Sequence, residues 1–198
     1  MISEELLISF GAQQKSYPKG ALLFSEGDQA HYYFQVLSGE IKMNNFNDDG
    51  KEFIQGIFES GESFGEPPLF IGKSYPANAE ALNDAQVFQL PKMAFFELLH
   101  QHPETAIAIS ARLANRLYYK SVMASEISSH EPEHRLLKLI DYLKTDVEKM
   151  TSDQKYQVRL TRQQLADLTG LRVETVIRSI KALEKKGMLF IQNRKIFR

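Results

Sequence analysis

Between residues 17 and 90 the chain alternates short apolar runs with glycine-containing turns: YPKGALLF, YYFQVLSGEIKM, NNFNDDGKEFIQGIF, ESGESFGE and AEALNDAQVFQL. Apolar residues recur at near period two in YYFQVLSGEIKM, and Ser38-Gly39 and Asp49-Gly50 offer turn positions where positive φ is cheap, so the stretch reads as strands and hairpins. Seven or eight short strands predict a barrel or roll. After Pro91 the period lengthens. KMAFFELLHQHP predicts a short helix closed by Pro103, and ETAIAISARLANRLYYKSVMASEISS predicts a long one, uninterrupted by Gly or Pro. Along it Ile107, Ala114, Leu117, Ser121, Ala124 and Ser128 form a heptad-like seam. Its small residues would let a second copy of the helix approach in parallel across a dimer axis, or the stripe would pack on the chain's own β-roll.

The C-terminal pattern is more specific. LTRQQLADLTGLRVETVIRSIKALEKKGML opens on Thr161 with Gln164 three residues on, a capping box for a helix from Arg162 to about Leu168. Gly170 supplies a tight turn. A second helix follows from about Val173 to Lys186, with Val176, Ile180 and Leu183 on one stripe and Glu174, Arg178, Lys181 and Lys185 opposite. This is helix-turn-helix spacing, and MLFIQNRKIFR adds two short strands turned at Asn193-Arg194, a wing. An ordinary helical hairpin with a solvated charged face is the plainer alternative.

Charge sharpens the division. The formal net charge of 198 residues is −1, yet residues 159–198 carry ten Lys/Arg against three Asp/Glu, a net of +7 set against −8 for the rest. A basic module tethered to an acidic one is the electrostatic footprint expected of nucleic-acid binding, since neutralising phosphates releases condensed counterions; a solvated basic tail is the plainer alternative, and pattern must decide between them. The length allows two domains of modest size. No apolar stretch nears the roughly 20 residues of a membrane helix, and MISEELLISF lacks the basic start of a signal peptide, so a cytoplasmic protein with no membrane partner is expected.

Composition also removes chemistries. Without cysteine there are no disulfides, thiolate metal sites or cysteine nucleophiles. PLFIGKS resembles the end of a phosphate-binding loop, but Pro67 stands at the first glycine position and can neither donate an N–H nor take positive φ. His130-Glu131-Pro132-Glu133-His134 fits HExxH literally, but Pro132 would break the helix that must align both histidines. No catalytic constellation and no metal site are expected. That segment reads instead as a hinge, residues 129–134.

FGEPPLFIGKSYPANAEA, Phe64 to Ala81, has the glycines, carboxylate and small-residue strand of a phosphate pocket, and no arginine. At this point the chain resembles the CRP/FNR (catabolite-activator-like) transcription regulators over nearly its whole length. YPKGALLFSEGDQAHYYFQVLSGEIKM with DGKEF and GESFGE resembles their cyclic-nucleotide-binding β-roll, HPETAIAISARLANRL their dimerisation helix, and LTRQQLADLTG with ETVIRSIKALEKKGML their winged helix-turn-helix. The resemblance implies an α+β fold: an N-terminal antiparallel double-stranded β-roll of jelly-roll type with a long dimerisation helix (about 103–128) in residues 1–128, the hinge, and a winged helix-turn-helix DNA-binding domain in 135–198. It implies a sequence-specific DNA-binding regulator, not an enzyme. Its partners would be a pseudo-palindromic operator, a second copy of the chain, RNA polymerase and a small-molecule effector.

Carried over by position, Glu174 and Arg178 fall where the family reads bases, and Val173 replaces an arginine, so it would read a thymine methyl rather than guanine. Thr161, Arg162, Thr175 and Lys181 would meet phosphates. Gly65, Glu66, Lys73, Tyr75, Lys120 and Ser121 are the effector-pocket candidates, but the arginine that neutralises a cyclic phosphate is replaced by Tyr75, followed by Pro76. A buried phosphate without a cation costs on the order of several kcal/mol, and the point charge of Lys73 lacks the guanidinium's fork. The effector is therefore expected to be something other than a cyclic nucleotide, or absent. A rival reading is a cyclic-nucleotide-type module whose C-terminal unit contacts protein instead of DNA, separable by the salt dependence of duplex binding.

Overall fold

The computed structural model describes residues 2–50, 52–128, 131–151 and 153–198, and no side chain for residue 119 or residues 122–128. The chain divides into two compact units, Met1–Ala114 and Asn115–Arg198.

The first unit opens with helix α1 (Glu4–Ser9) and continues through strands β1 (Gln13–Tyr17), β2 (Leu22–Phe24), β3 (Tyr32–Ser38), β4 (Ile41–Phe46), β5 (Glu52–Phe58) and β6 (Ser63–Phe64). A short helix α2 (Glu66–Ile71) precedes β7 (Asn78–Ala81) and β8 (Ala85–Pro91), after which come α3 (Lys92–Gln101) and the long α4 (Pro103–Ser128), which runs on into the second unit. The strands form two four-stranded antiparallel sheets, β1-β8-β3-β6 and β2-β7-β4-β5, the expected roll. β3 is buried on both faces, which is why YYFQV does not alternate with polar residues. Phe34 packs on Phe64 with ring centroids 5.2 Å apart, while Tyr33 stacks on Phe95 of α3 at 4.6 Å. Buried Gln35 accepts from the Tyr33 hydroxyl at 2.8 Å and donates to the Ile2 carbonyl at 2.9 Å, tying down the N-terminal segment.

One of the two expected turns is not a hairpin. Asp49-Gly50 does close β4 on β5, with Gly50 N–H donating to Asn47 O at 2.8 Å. Ser38-Gly39, by contrast, carries the chain from one sheet to the other, since β3 pairs with β6 and β8 and β4 with β5 and β7. The period-two pattern is blind to which sheet a strand joins.

In the second unit α5 (Pro132–Tyr142) runs into a π-helical turn at Leu143–Val147, followed by β9 (Gln157–Val158), α6 (Arg162–Thr169), α7 (Val173–Lys185), β10 (Phe190–Gln192) and β11 (Lys195–Phe197). Leu136, Leu139 and Ile140 of α5 share a core with Leu165, Val176, Ile180, Leu183 and Ile196. β9, too short to leave a sequence period, completes the three-stranded sheet β10-β11-β9. Arg198 clamps the end of the chain to α5 through two bonds to the Asp141 carboxylate, at 2.6 and 3.3 Å. Of the expected hinge, Ser129 and His130 lie outside the described residues, and Pro132 stands at the first helical position of α5, where a missing N–H costs nothing. On the α4 seam Ile107 and Leu117 are 71% and 67% exposed, and Ala124 and Ser128 lie outside the described side chains. No helix among the described residues is long and apolar enough to cross a membrane.

Candidate nucleic-acid interface and effector pocket

The helix-turn-helix is held by its caps. Thr161 Oγ1 accepts from Gln164 N–H at 3.1 Å while Gln164 Oε1 accepts from Thr161 N–H at 2.8 Å, the reciprocal box that starts α6. Gly170 ends it in the left-handed region, φ +68°. The turn delivers α7 with Val176, Ile180 and Leu183 buried against the core and with Glu174, Ile177, Arg178, Lys181 and Lys185 exposed along the opposite face. Thr175 is half-buried, and its hydroxyl takes a long bond of 3.4 Å from the Arg178 guanidinium. Val173 is also half-buried, packed partly on the core. At the start of α6 Thr161 is exposed, and Arg162 reaches the wing, donating to Arg194 O at 3.2 Å. The wing turn at Asn193 and Arg194 has both residues at positive φ, 50° and 63°. A link from Arg162 to the wing has no local sequence signal, because 32 residues separate the partners.

A face of this kind offers bidentate guanidinium and carboxylate edges flanked by ammonium groups. Such a set can read guanine and cytosine in a major groove while anchoring to phosphates on either side.

The other candidate site lies in the roll. Gly65 takes φ +73° at the entrance to α2, and Glu66 behind it is fully buried. Tyr75 is 3% exposed and lies face to face with Phe24, ring centroids 3.6 Å apart. Phe24 in turn packs on Phe34 and Phe64 at 5.5 and 6.2 Å. The Tyr75 hydroxyl donates to Tyr32 O at 3.2 Å. Burial pushes its pKa up to about 12; the backbone bond to Tyr32 opposes this, and the Asp28 carboxylate adds to it. A Cβ on Gly65 would stand 3.2 Å from the Tyr75 ring, so this glycine serves close packing as well as its turn. Lys73 is exposed. Pro76 donates no N–H, and its carbonyl accepts from Asn45 Nδ2 at 2.7 Å. Lys120 and Ser121 belong to the second unit, where both are exposed and Ser121 Oγ donates to Leu117 O at 3.0 Å. A cavity of about 250 Å³ beside the N-terminal segment is lined by Ile2, Ser3, Gln35, Leu37, Ser60 and Phe88 among others, and by none of the pocket candidates.

Residues 14–102 match the family model of the cyclic nucleotide-binding domain, and residues 134–197 match that of the Crp-like helix-turn-helix domain. Both halves of one architecture are therefore present, in order. The chain belongs to the CRP/FNR family of transcription regulators. It is 26% identical over 181 residues to the cAMP-activated global transcriptional regulator CRP of Haemophilus influenzae, covering 91% of this chain and 81% of that protein. The CRP-like protein Clp of Xanthomonas oryzae pv. oryzae is 27% identical over 191 residues, 93% of this chain and 83% of that one. Among solved structures, the c-di-GMP responsive global regulator CLP of Xanthomonas campestris superposes with a TM-score of 0.76 at 26% identity, covering 97% of this regulator and 95% of its own chain. A mutant of CooA from Carboxydothermus hydrogenoformans shares the fold, with a TM-score of 0.79 at 18% identity over 100% of this chain and 86% of that one. Like its relatives, this CRP/FNR regulator is a sequence-specific DNA-binding protein of transcription control, built on a winged helix-turn-helix.

Proposed function

We propose that this regulator works in the cytoplasm as a homodimer whose effector, if it takes one, is not a cyclic nucleotide. Two copies of α7 would enter successive major grooves of a pseudo-palindromic site with half-sites ~34–36 Å apart. Glu174 and Arg178 would read base edges there, with Val173 beside them, and Thr161, Arg162, Thr175 and Lys181 would hold phosphates. The exposed Ile107 and Leu117 on α4 support pairing of two copies along that helix. RNA polymerase is the protein such a dimer meets at a promoter.

The observation that carries the effector reading is the Tyr75 ring, buried against Phe24 at the position where the family resemblance puts a phosphate-binding arginine. A stacked phenol supplies no cation, and Lys73 is exposed, so a cyclic phosphate entering there would lose its hydration without gaining a counter-charge. Effectors differ among the relatives, cAMP for the Haemophilus protein and c-di-GMP for the Xanthomonas campestris one, which agrees with a roll whose ligand is set by its lining. Calorimetric titration of the full chain with cAMP and cGMP tests the reading, with no saturable heat expected at millimolar nucleotide. A structure with cAMP bonded to Glu66 and Lys73 would overturn it.

A further inference from the structure

We propose that Ile177 is a specificity-determining residue that recognises the C5-methyl group of a thymine in the operator's major groove. The inference deepens the base-reading role of α7 and rests on it.

The other large aliphatic side chains of α7 are accounted for by the core. Val176, Ile180 and Leu183 are at most 2% exposed, whereas Ile177 is 40% exposed. It sits three residues after Glu174 and four before Lys181, so the helical repeat makes it their neighbour on the exposed side of the helix. A β-branched residue is a modest helix former, and with 40% of its surface exposed Ile177 is far less buried than the core stripe, so propensity and burial account for isoleucine here only in part.

Base chemistry does explain it. A guanidinium reads guanine O6 and N7, and a carboxylate reads cytosine N4, but the feature that sets thymine apart in the groove is a methyl group, which needs an apolar partner. Ile177 places such a surface at the edge of that face, three residues from Glu174 and four from Lys181. Val173, one turn earlier, spends part of its side chain on the core and offers less. The net charge of +7 over residues 159–198 favours duplex DNA as the occupant of this face over an acidic groove on a protein, because part of that charge stands exposed on α7 itself, at Lys181 beside Ile177 and at Lys185 two turns further on.

The test uses the full chain. An operator is first selected from a random duplex pool, and each thymine in its half-site is then replaced singly by uracil, which removes the methyl and keeps every hydrogen-bonding edge. One thymine per half-site should respond, with wild-type affinity falling about fourfold, the transfer free energy of one buried methyl-sized group. Ile177→Ala should bind the thymine and uracil duplexes equally, and Ile177→Val should fall between. Circular dichroism checks that the variants keep their helix content. If no thymine methyl alters wild-type affinity, or if Ile177→Ala discriminates as well as wild type, the proposal fails while base reading by Glu174 and Arg178 stands. If Ile177→Ala binds every duplex like wild type, the side chain belongs to a protein contact and the proposal fails too. Absence of any enriched sequence for the wild type is a different failure, that of α7 as the reading helix, and the proposal falls with it.

Discussion

The ring of Tyr75 lies 11° from parallel over Phe24, centroids 3.6 Å apart, and its hydroxyl reaches the Tyr32 carbonyl. The side chain at the resemblance's arginine position is thus part of the hydrophobic core of the roll. Tyr75→Ala should destabilise the first unit by ~3–5 kcal/mol, the usual cost of deleting a buried aromatic ring and leaving a cavity. Tyr75→Phe keeps the stack and loses one hydrogen bond, so ~0.5–1.5 kcal/mol is expected. Urea denaturation followed by circular dichroism separates the two.

The same residue gives the fold an alkaline limit. Burial, offset in part by the Tyr32 bond and reinforced by Asp28, raises its pKa from 10.0 to about 12. The unfolded chain then releases the phenol proton before the folded one does. The contribution is complete below pH ~10 and is lost as pH rises towards 12. Wild type should therefore lose more thermal stability between pH ~9 and pH ~11.5 than Tyr75→Phe, whose other titrating groups are identical; equal losses would place the ionisation elsewhere.

Gly39 is a second point where one side chain decides the architecture. Its φ is +81°, and an added Cβ would stand 2.6 Å from Asp84 O and 2.7 Å from Ala85 Cα, both backbone atoms that cannot swing away. Strain and collision act together, so Gly39→Ala should cost more than the ~1 kcal/mol of a left-handed alanine alone. Gly50, also at positive φ but with open space around it, gives the comparison: Gly50→Ala should show only the smaller cost, read as midpoints in the same urea series.

These positions mark what a sequence reveals and what it hides. α6 and α7 are legible because Thr161, Gln164, Gly170 and the Val176-Ile180-Leu183 stripe encode caps, turn and core within a short run of chain. The strands of the roll are legible as strands, but pairing is not. Ser38-Gly39 has the composition of a hairpin, and its crossover role depends on Asp84 and Ala85, far along the chain. The departure at Tyr75 is visible as a missing arginine, while its stack on Phe24, 51 positions away, follows only from the folded roll. Ile177 escapes for another reason: a lone apolar residue beside Val176 blends into the helix's hydrophobic pattern until exposure separates them.

Arg178 and Lys181 sit three residues apart on the exposed face of α7 and should fail differently. A guanidinium that donates to guanine O6 and N7 distinguishes one base pair from another, at ~1–3 kcal/mol per pairing. An ammonium beside a phosphate is indifferent to sequence and works through counterion release. Arg178→Ala should thus lose most of its preference for the selected site while keeping most of its affinity for random duplex. Lys181→Ala should weaken binding to both by a similar factor and flatten the dependence of log K on log salt by about one unit for each phosphate no longer neutralised. Competition binding on the two duplexes at several salt concentrations measures both quantities at once. Equal weakening of Arg178→Ala on specific and random DNA would move that guanidinium from the base edges to the backbone, and with it the register in which α7 enters the groove.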